Sequence, residues 1–309
     1  MARESRFTYY DLEMRKMTIK RDYILNNFEK AMNDKWIRAF YQPIIRAGSG
    51  HICDEEALCR WIDPDRGVIP PNEFINVLEE AKLIYKLDLY MVDRIIEDFT
   101  TKKAEGIKAL PVSVNLSRYD FKCCDMVKEI TKRMDKAGLP HYMLSVEITE
   151  NCFEIDETFL REQIRCFREN GFKVWMDDFG SGYSSLNALA EWDFDLIKFD
   201  MIFLKKFDSS PKSRIILRQL LHMTQKLGIQ TIVEGVETEE QMTFLKEAGC
   251  DMCQGYYFDK PSPLADIIDK IKTGMSFVDD RPEEEKKEEK EKKSKNKTEK
   301  KVLDNTDQR

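Results

Sequence analysis

Short apolar runs alternate with amphipathic segments along most of this chain, and this alternation restricts the fold more than any other feature. The apolar runs begin with IRAFYQPII and continue through KALPVSVNL, HYMLSVEIT, FKVWMDD, FDLIKFD and QTIVEG. Between them lie stretches with helical spacing, such as DMVKEITKRMDKAG and SRIILRQLLHMTQKLG. Strands that alternate with helices of this length form βαβ units and a mainly parallel sheet. With some eight strands over about 240 residues, the pattern favours a closed TIM-type (β/α)8 barrel, an α/β fold, over an open sheet.

The two ends of the chain differ in composition from this repeating part. We expect an N-terminal segment at 1–35 whose amphipathic stretch forms a lead-in helix, and a barrel domain at 36–272. Residues 279–309 contain EEEKKEEKEKKSKNKTEKK and no aromatic residue. Such a segment cannot bury enough apolar surface to offset its ordering entropy, so we expect a disordered charged tail.

Charge, hydropathy and cysteine spacing exclude several classes of protein. The tail holds as many basic as acidic residues, so the formal charge of −7 belongs to the rest of the chain. This balance argues against binding a nucleic-acid polymer, which requires phosphate neutralisation. The sequence has neither an apolar run of membrane-spanning length nor a secretory signal. The eight cysteines include one isolated CxxC pair, Cys250 and Cys253, which is poor spacing for zinc or disulfides. We therefore expect reduced thiols and a cytoplasmic location.

Polar residues stand where the strands of the barrel are expected to end. They are Glu56, Asn115, Glu147, Asp177, Asp178, Lys198, Glu234 and Gln254. In a parallel barrel these ends share one face, where active sites are assembled from several strands. Clustered carboxylates raise one another's pKa unless a cation neutralises them. Mg²⁺ and Mn²⁺ prefer carboxylate and amide oxygens, so the pattern predicts a hard-metal site.

The adjacent pair Asp177 and Asp178 suggests two ions that share a bridging carboxylate, as in two-metal phosphoryl chemistry. Lys198 would then position the attacking water or stabilise charge on a phosphate. An ion pair at the barrel mouth would explain Lys198 equally well. Gly180 and Gly182, directly after the pair, fit either a lid over the site or a tight turn after the strand.

Taken together, these motifs resemble the EAL family of cyclic di-GMP phosphodiesterases over residues 36–262. The motif that names the family reads Glu56-Ala57-Leu58 here. The other matches are YQPI at 41–44, VNLS at 114–117, EITE at 147–150, DDFGSGYSSL at 177–186, EGVET at 234–238 and QGYYF at 254–258. Each motif is weak alone, but their order and spacing together are specific.

The resemblance implies a modified TIM barrel with one antiparallel strand, a homodimer and a role in bacterial second-messenger signalling. It also implies that cyclic di-GMP is the substrate. One of its phosphodiesters would be hydrolysed to linear pGpG by a water that two Mg²⁺ or Mn²⁺ ions activate.

The resemblance also assigns roles to individual residues by position. The implied metal ligands are Glu56, Asn115, Glu147 and Asp177 for one ion, and Asp177, Asp178 and Glu234 for the second. The implied catalytic residues are Glu56, Lys198 and Glu234, with Lys198 orienting the attacking water. The positions that line or support the substrate are Gln42, Leu58, Arg60, Glu237, Gln254 and Tyr256. Glu150 matches the glutamate that supports the glycine-containing lid.

Departures from the family pattern remove none of these ligands. Met201-Ile202-Phe203 stands where the family often has Arg-Ser-Phe, and we expect this change to alter a surface contact or a dimer edge. The segment before the barrel resembles the connector that joins a GGDEF domain to an EAL domain. An upstream regulatory or GGDEF domain outside this chain is therefore a candidate partner.

Two other functions compete with hydrolysis of cyclic di-GMP. A receptor that binds cyclic di-GMP without turnover is a known fate of the family, but such proteins usually lose metal ligands. An unrelated barrel glycosidase would use two carboxylates. That mechanism gives no role to Asn115, the Asp177–Asp178 pair or Lys198.

Overall fold

The structure, a computed structural model, describes residues 12–149, 152, 157–180, 192–205, 207 and 210–273, with side chains from residue 14 onward. The described strands are β1 (Ile37–Arg46), β2 (Ile52–Asp63), β3 (Gly67–Ile69), β4 (Val112–Leu116), β5 (Leu144–Thr149), β6 (Lys173–Phe179), β7 (Leu196–Phe199), β8 (Gln230–Val233), β9 (Met252–Cys253) and β10 (Ser262–Pro263). The described α-helices are α1 (Leu12–Asn33), α2 (Pro71–Glu80), α3 (Ile84–Ala104), α4 (Asp120–Cys123), α5 (Met126–Ala137), α6 (Glu157–Glu169), α7 (Ile202–Lys205), α8 (Pro211–Leu227), α9 (Glu239–Glu247) and α10 (Leu264–Lys272).

Eight of these strands form a closed barrel. From β2 the order runs through β4, β5, β6, β7, β8 and β9 in parallel pairs, and β1 closes the ring between β9 and β2. β1 is antiparallel to both of its barrel neighbours. β3 and β10 extend the sheet beside β2 and β1. The prediction of a modified TIM barrel with one antiparallel strand is confirmed.

Local sequence signals set the ends of the outer helices. Asp125 accepts a hydrogen bond from the Lys128 amide and caps the start of α5, and Gly138 ends that helix in a left-handed conformation. Ser210 and Gly228 do the same for α8. An N-terminal polar cap and a C-terminal glycine satisfy helix-end groups that would otherwise lack partners.

The lead-in helix α1 packs against the barrel. Its residues Ile24, Phe28 and Ala31 are buried in the main hydrophobic cluster, at the spacing of one helix face. Tyr23 Oη donates a hydrogen bond to Asp63 at the end of β2. Residues 1–11 and the charged tail at 279–309 lie outside the described residues, so disorder of the tail remains a prediction.

The interior of the barrel is divided along its axis. Towards the start of the parallel strands it is filled by a compact apolar cluster. The cluster consists of Ile44, Cys53, Trp175, Leu196, Ile232 and Met252. Towards the strand ends the inward positions are polar, and this half carries the candidate site. Among the described helices, none is both long enough and apolar enough to cross a bilayer.

Candidate functional site

The Lys198 ammonium lies at the centre of four carboxylates. Its Nζ is 2.7 Å from Glu147 Oε2, 2.7 Å from Glu234 Oε1, 3.2 Å from Asp177 Oδ1 and 3.3 Å from Glu56 Oε2. Lys198 is 1% exposed. The four carboxylates come from β2, β5, β6 and the residue that follows β8, so the closed barrel itself brings them together.

Amide side chains hold Glu56 in place from two sides. Asn115 Nδ2 donates to Glu56 Oε1 at 3.1 Å, and Gln254 Nε2 donates to Glu56 Oε2 at 2.7 Å. Gln254 Nε2 also lies 3.2 Å from Gln42 Oε1. Gln42 stands opposite Glu56 in the β1–β2 register, and Asn115 stands beside Glu147 in the β4–β5 register. Register therefore places these four side chains on one face of the sheet.

A backbone irregularity brings two consecutive carboxylates into one cavity. Successive residues of a regular strand point to opposite faces. The β6–β7 register shifts between Met176 and Phe179, and Asp178 has a left-handed φ of 58°. Both Asp177 and Asp178 consequently line the cavity at the strand ends. Backbone strain of this kind is typical of functional sites.

Burial and charge act in opposite directions on Lys198 and Glu56. Burial would lower the pKa of Lys198, but its four carboxylate neighbours outweigh burial and hold that pKa well above its usual value. Burial would raise the pKa of Glu56, yet the Lys198 ammonium and the hydrogen bonds from Gln254 and Asn115 lower it. Both groups are therefore charged at neutral pH.

The other carboxyl groups of the cluster have too little positive charge near them to offset the effect of burial on their pKa values. Burial raises the pKa of Glu234 to about 8, although Lys198 opposes the rise. Burial, followed by repulsion from Asp177, raises the pKa of Asp178 to about 6. Burial also holds the pKa of Glu147 well above its usual value. One ammonium cannot neutralise this many buried carboxylates.

The oxygen atoms of the cluster fit a hard divalent cation. The buried atoms Glu147 Oε1 and Gln254 Oε1 accept no hydrogen bond from the described part of the chain. Asp177 Oδ1 lies 3.2 Å from Lys198 Nζ but accepts no well-aligned hydrogen bond there. One ligand oxygen each from Asp177, Asp178 and Glu234 lies within 4.8 Å of the others. Mg²⁺ and Mn²⁺ prefer such carboxylate and amide oxygens.

The site opens into a cavity of about 480 Å³. The predicted residues that line it are Gln42, Glu56, Leu58, Asn115, Asp177, Asp178, Lys198, Glu234, Glu237, Gln254 and Tyr256. Glu147 is 0% exposed and is not among the lining residues, and its Oε2 accepts a hydrogen bond from Lys198 Nζ. Glu150 and residues 181–191 of the glycine-containing segment lie outside the described residues.

Arg60 lies away from the main cavity. It lines a neighbouring cavity of about 330 Å³, and its Nη1 donates to the carbonyl oxygen of Cys59 at 2.8 Å. The two cavities share Leu58, Asn115, Asp177 and Asp178. The structure therefore places Arg60 beside the carboxylate cluster but on a separate wall.

Sequence reasoning missed several residues that line the main cavity. They are Met201, Leu204, Lys205 and Gln241. Met201 was expected at a surface contact, and although it is 45% exposed, it also packs against Gly235. A Cβ on Gly235 would lie 2.5 Å from Met201 Cβ, so this approach requires glycine. The available signal was position, since Met201, Leu204 and Lys205 lie within six residues of the end of β7.

Gln241 supports the cavity wall at the start of α9. It is the third residue of α9, and its side chain takes part in a capping box with Thr238. Gln241 Oε1 accepts a hydrogen bond from the Glu237 amide at 2.8 Å. The start of α9 therefore fixes the backbone of Glu237 at the cavity wall.

The fold and site together define a β/α-barrel protein with an oxygen-rich, lysine-centred pocket at the strand ends. The chain belongs to the EAL domain family, whose model matches residues 25–261. The resemblance drawn from the sequence is thereby confirmed.

Named relatives and solved structures agree with this membership. The chain is 35% identical over 246 residues to the cyclic di-GMP phosphodiesterase NbdA of Pseudomonas aeruginosa, covering 79% of this chain and 31% of NbdA. It is 32% identical to the cyclic di-GMP phosphodiesterase PdeR of Escherichia coli, covering 83% of this chain and 39% of PdeR. The chain thus spans only 31% and 39% of the length of these two curated relatives.

Two solved structures share the fold closely. The EAL enzyme Bd1971, with cAMP and cyclic di-GMP bound, gives a TM-score of 0.76 at 27% identity, covering 82% of this chain and 69% of that one. The PaMucR phosphodiesterase in complex with c-di-GMP gives a TM-score of 0.74 at 26% identity, covering 79% of this chain and 99% of that one.

Proposed function

We propose that this chain is a metal-dependent phosphodiesterase that hydrolyses one phosphodiester of cyclic di-GMP to linear pGpG. The observation that carries the proposal is the excess of buried carboxylates around Lys198, at the mouth of a cavity of about 480 Å³. Membership of the EAL family and relatives named cyclic di-GMP phosphodiesterases support the substrate.

The proposed metal ligands are the oxygen-bearing side chains of the cluster. They are Glu56, Asn115, Glu147, Asp177, Asp178 and Glu234. Two Mg²⁺ or Mn²⁺ ions would supply Lewis-acid chemistry, which activates water and neutralises phosphate charge. The unpartnered oxygen of Glu147, Oε1, supports this assignment, because buried polar atoms normally have a partner.

Lys198 is proposed to orient the attacking water and to stabilise charge on the phosphate. An ammonium has three protons, whereas four carboxylates lie within 3.3 Å of Lys198 Nζ. These contacts fix the position of Nζ, and fixed charges lower barriers without reorganisation during the reaction. Glu56 and Glu234 complete the catalytic set as carboxylates that Lys198 contacts.

Substrate binding is assigned to the walls of the two cavities. Gln42, Leu58, Glu237, Gln254 and Tyr256 line the main cavity. Arg60 faces the neighbouring one, and its guanidinium is suited to phosphate. Glu150 is proposed to support the glycine-containing lid.

A homodimer forms part of the proposal. Met201, Ile202, Ile215 and Ile216 are large apolar residues with exposures of 45–61%, and exposed apolar patches mark interaction sites. An upstream regulatory or GGDEF domain is proposed as a further partner. The barrel at 36–272 is proposed as the catalytic unit and 279–309 as a charged tail.

The test is incubation of the purified chain with cyclic di-GMP and Mg²⁺ or Mn²⁺, followed by chromatography of the nucleotides. We expect metal-dependent conversion to pGpG that EDTA blocks. Binding without turnover would instead favour the receptor function, although the complete ligand set argues for hydrolysis. The absence of both binding and turnover would refute the proposal.

A further inference from the structure

The cavity at the strand ends has an uneven distribution of charge. The carboxylates that line it belong to Glu56, Asp177, Asp178, Glu234 and Glu237. Among the described lining residues, Lys198 and Lys205 are the two cations. Lys198 is surrounded by four carboxylates. Lys205 is therefore the lining cation that lies outside this cluster of carboxylates.

Lys205 stands on a short helix of the cavity wall whose backbone is held by hydrogen bonds. It is the last residue of α7, which begins three residues after β7 ends, and its amide donates to the Met201 carbonyl oxygen at 3.0 Å. Asp200 Oδ1 accepts from the Ile202 amide at 2.7 Å at the start of the same helix. Leu204 is buried next to it. These contacts fix the backbone of α7, so only the lysine side chain has to adjust to a ligand.

The surroundings of Lys205 combine one positive charge with apolar surface. Met201 and Leu204 line the cavity on the same helical segment. Within the described chain, no carboxylate lies within ion-pair distance of Lys205 Nζ, whereas many other surface lysines are paired, for example Lys86 with Glu29 at 3.2 Å. An ammonium beside apolar side chains suits a nucleotide, whose phosphate is anionic and whose base and sugar present apolar faces.

We propose that Lys205 binds the second, non-reacting phosphate of the cyclic dinucleotide. This inference rests on the proposed function. A cyclic dinucleotide carries two phosphodiesters, and the carboxylate cluster with its cations engages one of them. The other phosphate enters a cavity whose remaining charged wall, at Glu237, is negative, so it needs a cation of its own. Lys205 supplies this charge and makes the site select ligands with two phosphates.

The experiment compares Lys205→Ala with Lys226→Ala. The control removes the same charge from an exposed lysine in the last turn of α8, which does not line the cavity. With cyclic di-GMP, we expect Lys205→Ala to raise KM about tenfold, the loss of one partly exposed charged contact, and to change kcat less than about twofold. Lys205→Arg should recover most of the affinity, and Lys226→Ala should match the wild type.

A ligand with a single phosphate separates this role from a general loss of function. Bis(p-nitrophenyl) phosphate, used as substrate or as competitive inhibitor, should bind the wild type and Lys205→Ala equally. An unchanged KM for cyclic di-GMP, or equal losses for both ligands, would overturn the inference. A wild-type chain that does not turn over cyclic di-GMP would refute the proposed function instead. Calorimetric binding of the dinucleotide to the same variants would then still test Lys205.

Discussion

Two consecutive glutamates of β2 lie on opposite faces of the barrel and contact buried lysines of different kinds. Glu55 faces outward and pairs with Lys102 of α3, and both side chains are nearly inaccessible. Glu56 faces inward and shares Lys198 with three further carboxylates. The outer system contains one carboxylate and one ammonium, whereas the inner one contains four carboxylates and one ammonium.

This difference shows that burial alone does not distinguish a structural ion pair from a functional cluster. Glu55 and Glu56 are almost equally buried, at 2% and 6% exposure. What differs is the balance of groups, because Glu55 contacts one ammonium of its own, whereas the four inner carboxylates share one ammonium. A buried excess of carboxylates is costly unless protons or metal ions neutralise it. The balanced pair therefore has the composition of a structural ion pair, and the unbalanced cluster has the one expected of the proposed metal site.

Changing each glutamate to glutamine tests the difference between the two faces most directly. Glu56→Gln removes a proposed metal ligand, so we expect turnover of cyclic di-GMP to fall roughly 1,000-fold or more. Its melting temperature should change little, because Lys198 keeps three carboxylate partners. Turnover assays and thermal unfolding on the same preparations measure both effects.

Glu55→Gln is the matched control on the neighbouring residue. It leaves the buried Lys102 ammonium without its carboxylate, which costs about 3–5 kcal/mol of unfolding free energy. Activity per folded molecule should stay near the wild-type value, since Glu55 does not line the cavity. If Glu56→Gln kept near-normal turnover, or if Glu55→Gln abolished it in folded protein, the division between the two faces would be wrong.

The fold could be predicted largely from the sequence, because βαβ alternation and helix caps are local signals. The lengths of the strands were harder to predict from the sequence. Glu56 was placed at a strand end, yet β2 continues to Asp63 and pairs with β4 only from Glu55 to Ala57. The long extension pairs with β1 and β3 instead, and such pairing depends on partners distant in sequence.

The site could be predicted as a set of residues but not as a geometry. Polar residues at strand ends indicated the carboxylate cluster, and register then brought Glu56, Glu147 and Lys198 together. The left-handed backbone at Asp178 could not be foreseen, since a positive φ is uncommon outside glycine even at aspartate. The separate wall of Arg60 and the contribution of Lys205 depend on tertiary packing, for which no local pattern exists.

Replacing Lys198 tests the role of the one ammonium in the inner cluster. Lys198→Ala should lower kcat about 100-fold through the loss of a group that orients water and stabilises charge. KM should change much less, because the cavity walls that hold the nucleotide remain. Steady-state kinetics at saturating metal separate the two parameters. A variant with normal kcat and a raised KM would show that Lys198 binds substrate rather than assisting the chemical step.

The smallest effect is expected on the pH dependence of stability, through the titration of Glu234. The ordinary pKa of a glutamate is 4.5, and burial raises that of Glu234 to about 8. Between these values the folded, metal-free protein keeps a proton that the unfolded chain has released. Folding therefore takes up a proton in this window, and the unfolding free energy falls as pH rises from about 4.5 to about 8.

Glu234→Gln removes this titration, so its metal-free form should lose less stability as pH rises. We expect the melting temperature of Glu234→Gln minus that of the wild type to grow by a few degrees between about pH 5 and pH 8. Asp178→Asn is the matched comparison. Burial raises the pKa of Asp178 only to about 6. The melting temperature of Asp178→Asn minus that of the wild type should therefore level off above that pH. Parallel pH profiles for wild type and Glu234→Gln would contradict the claim that the inner cluster holds more carboxylates than its one ammonium can neutralise.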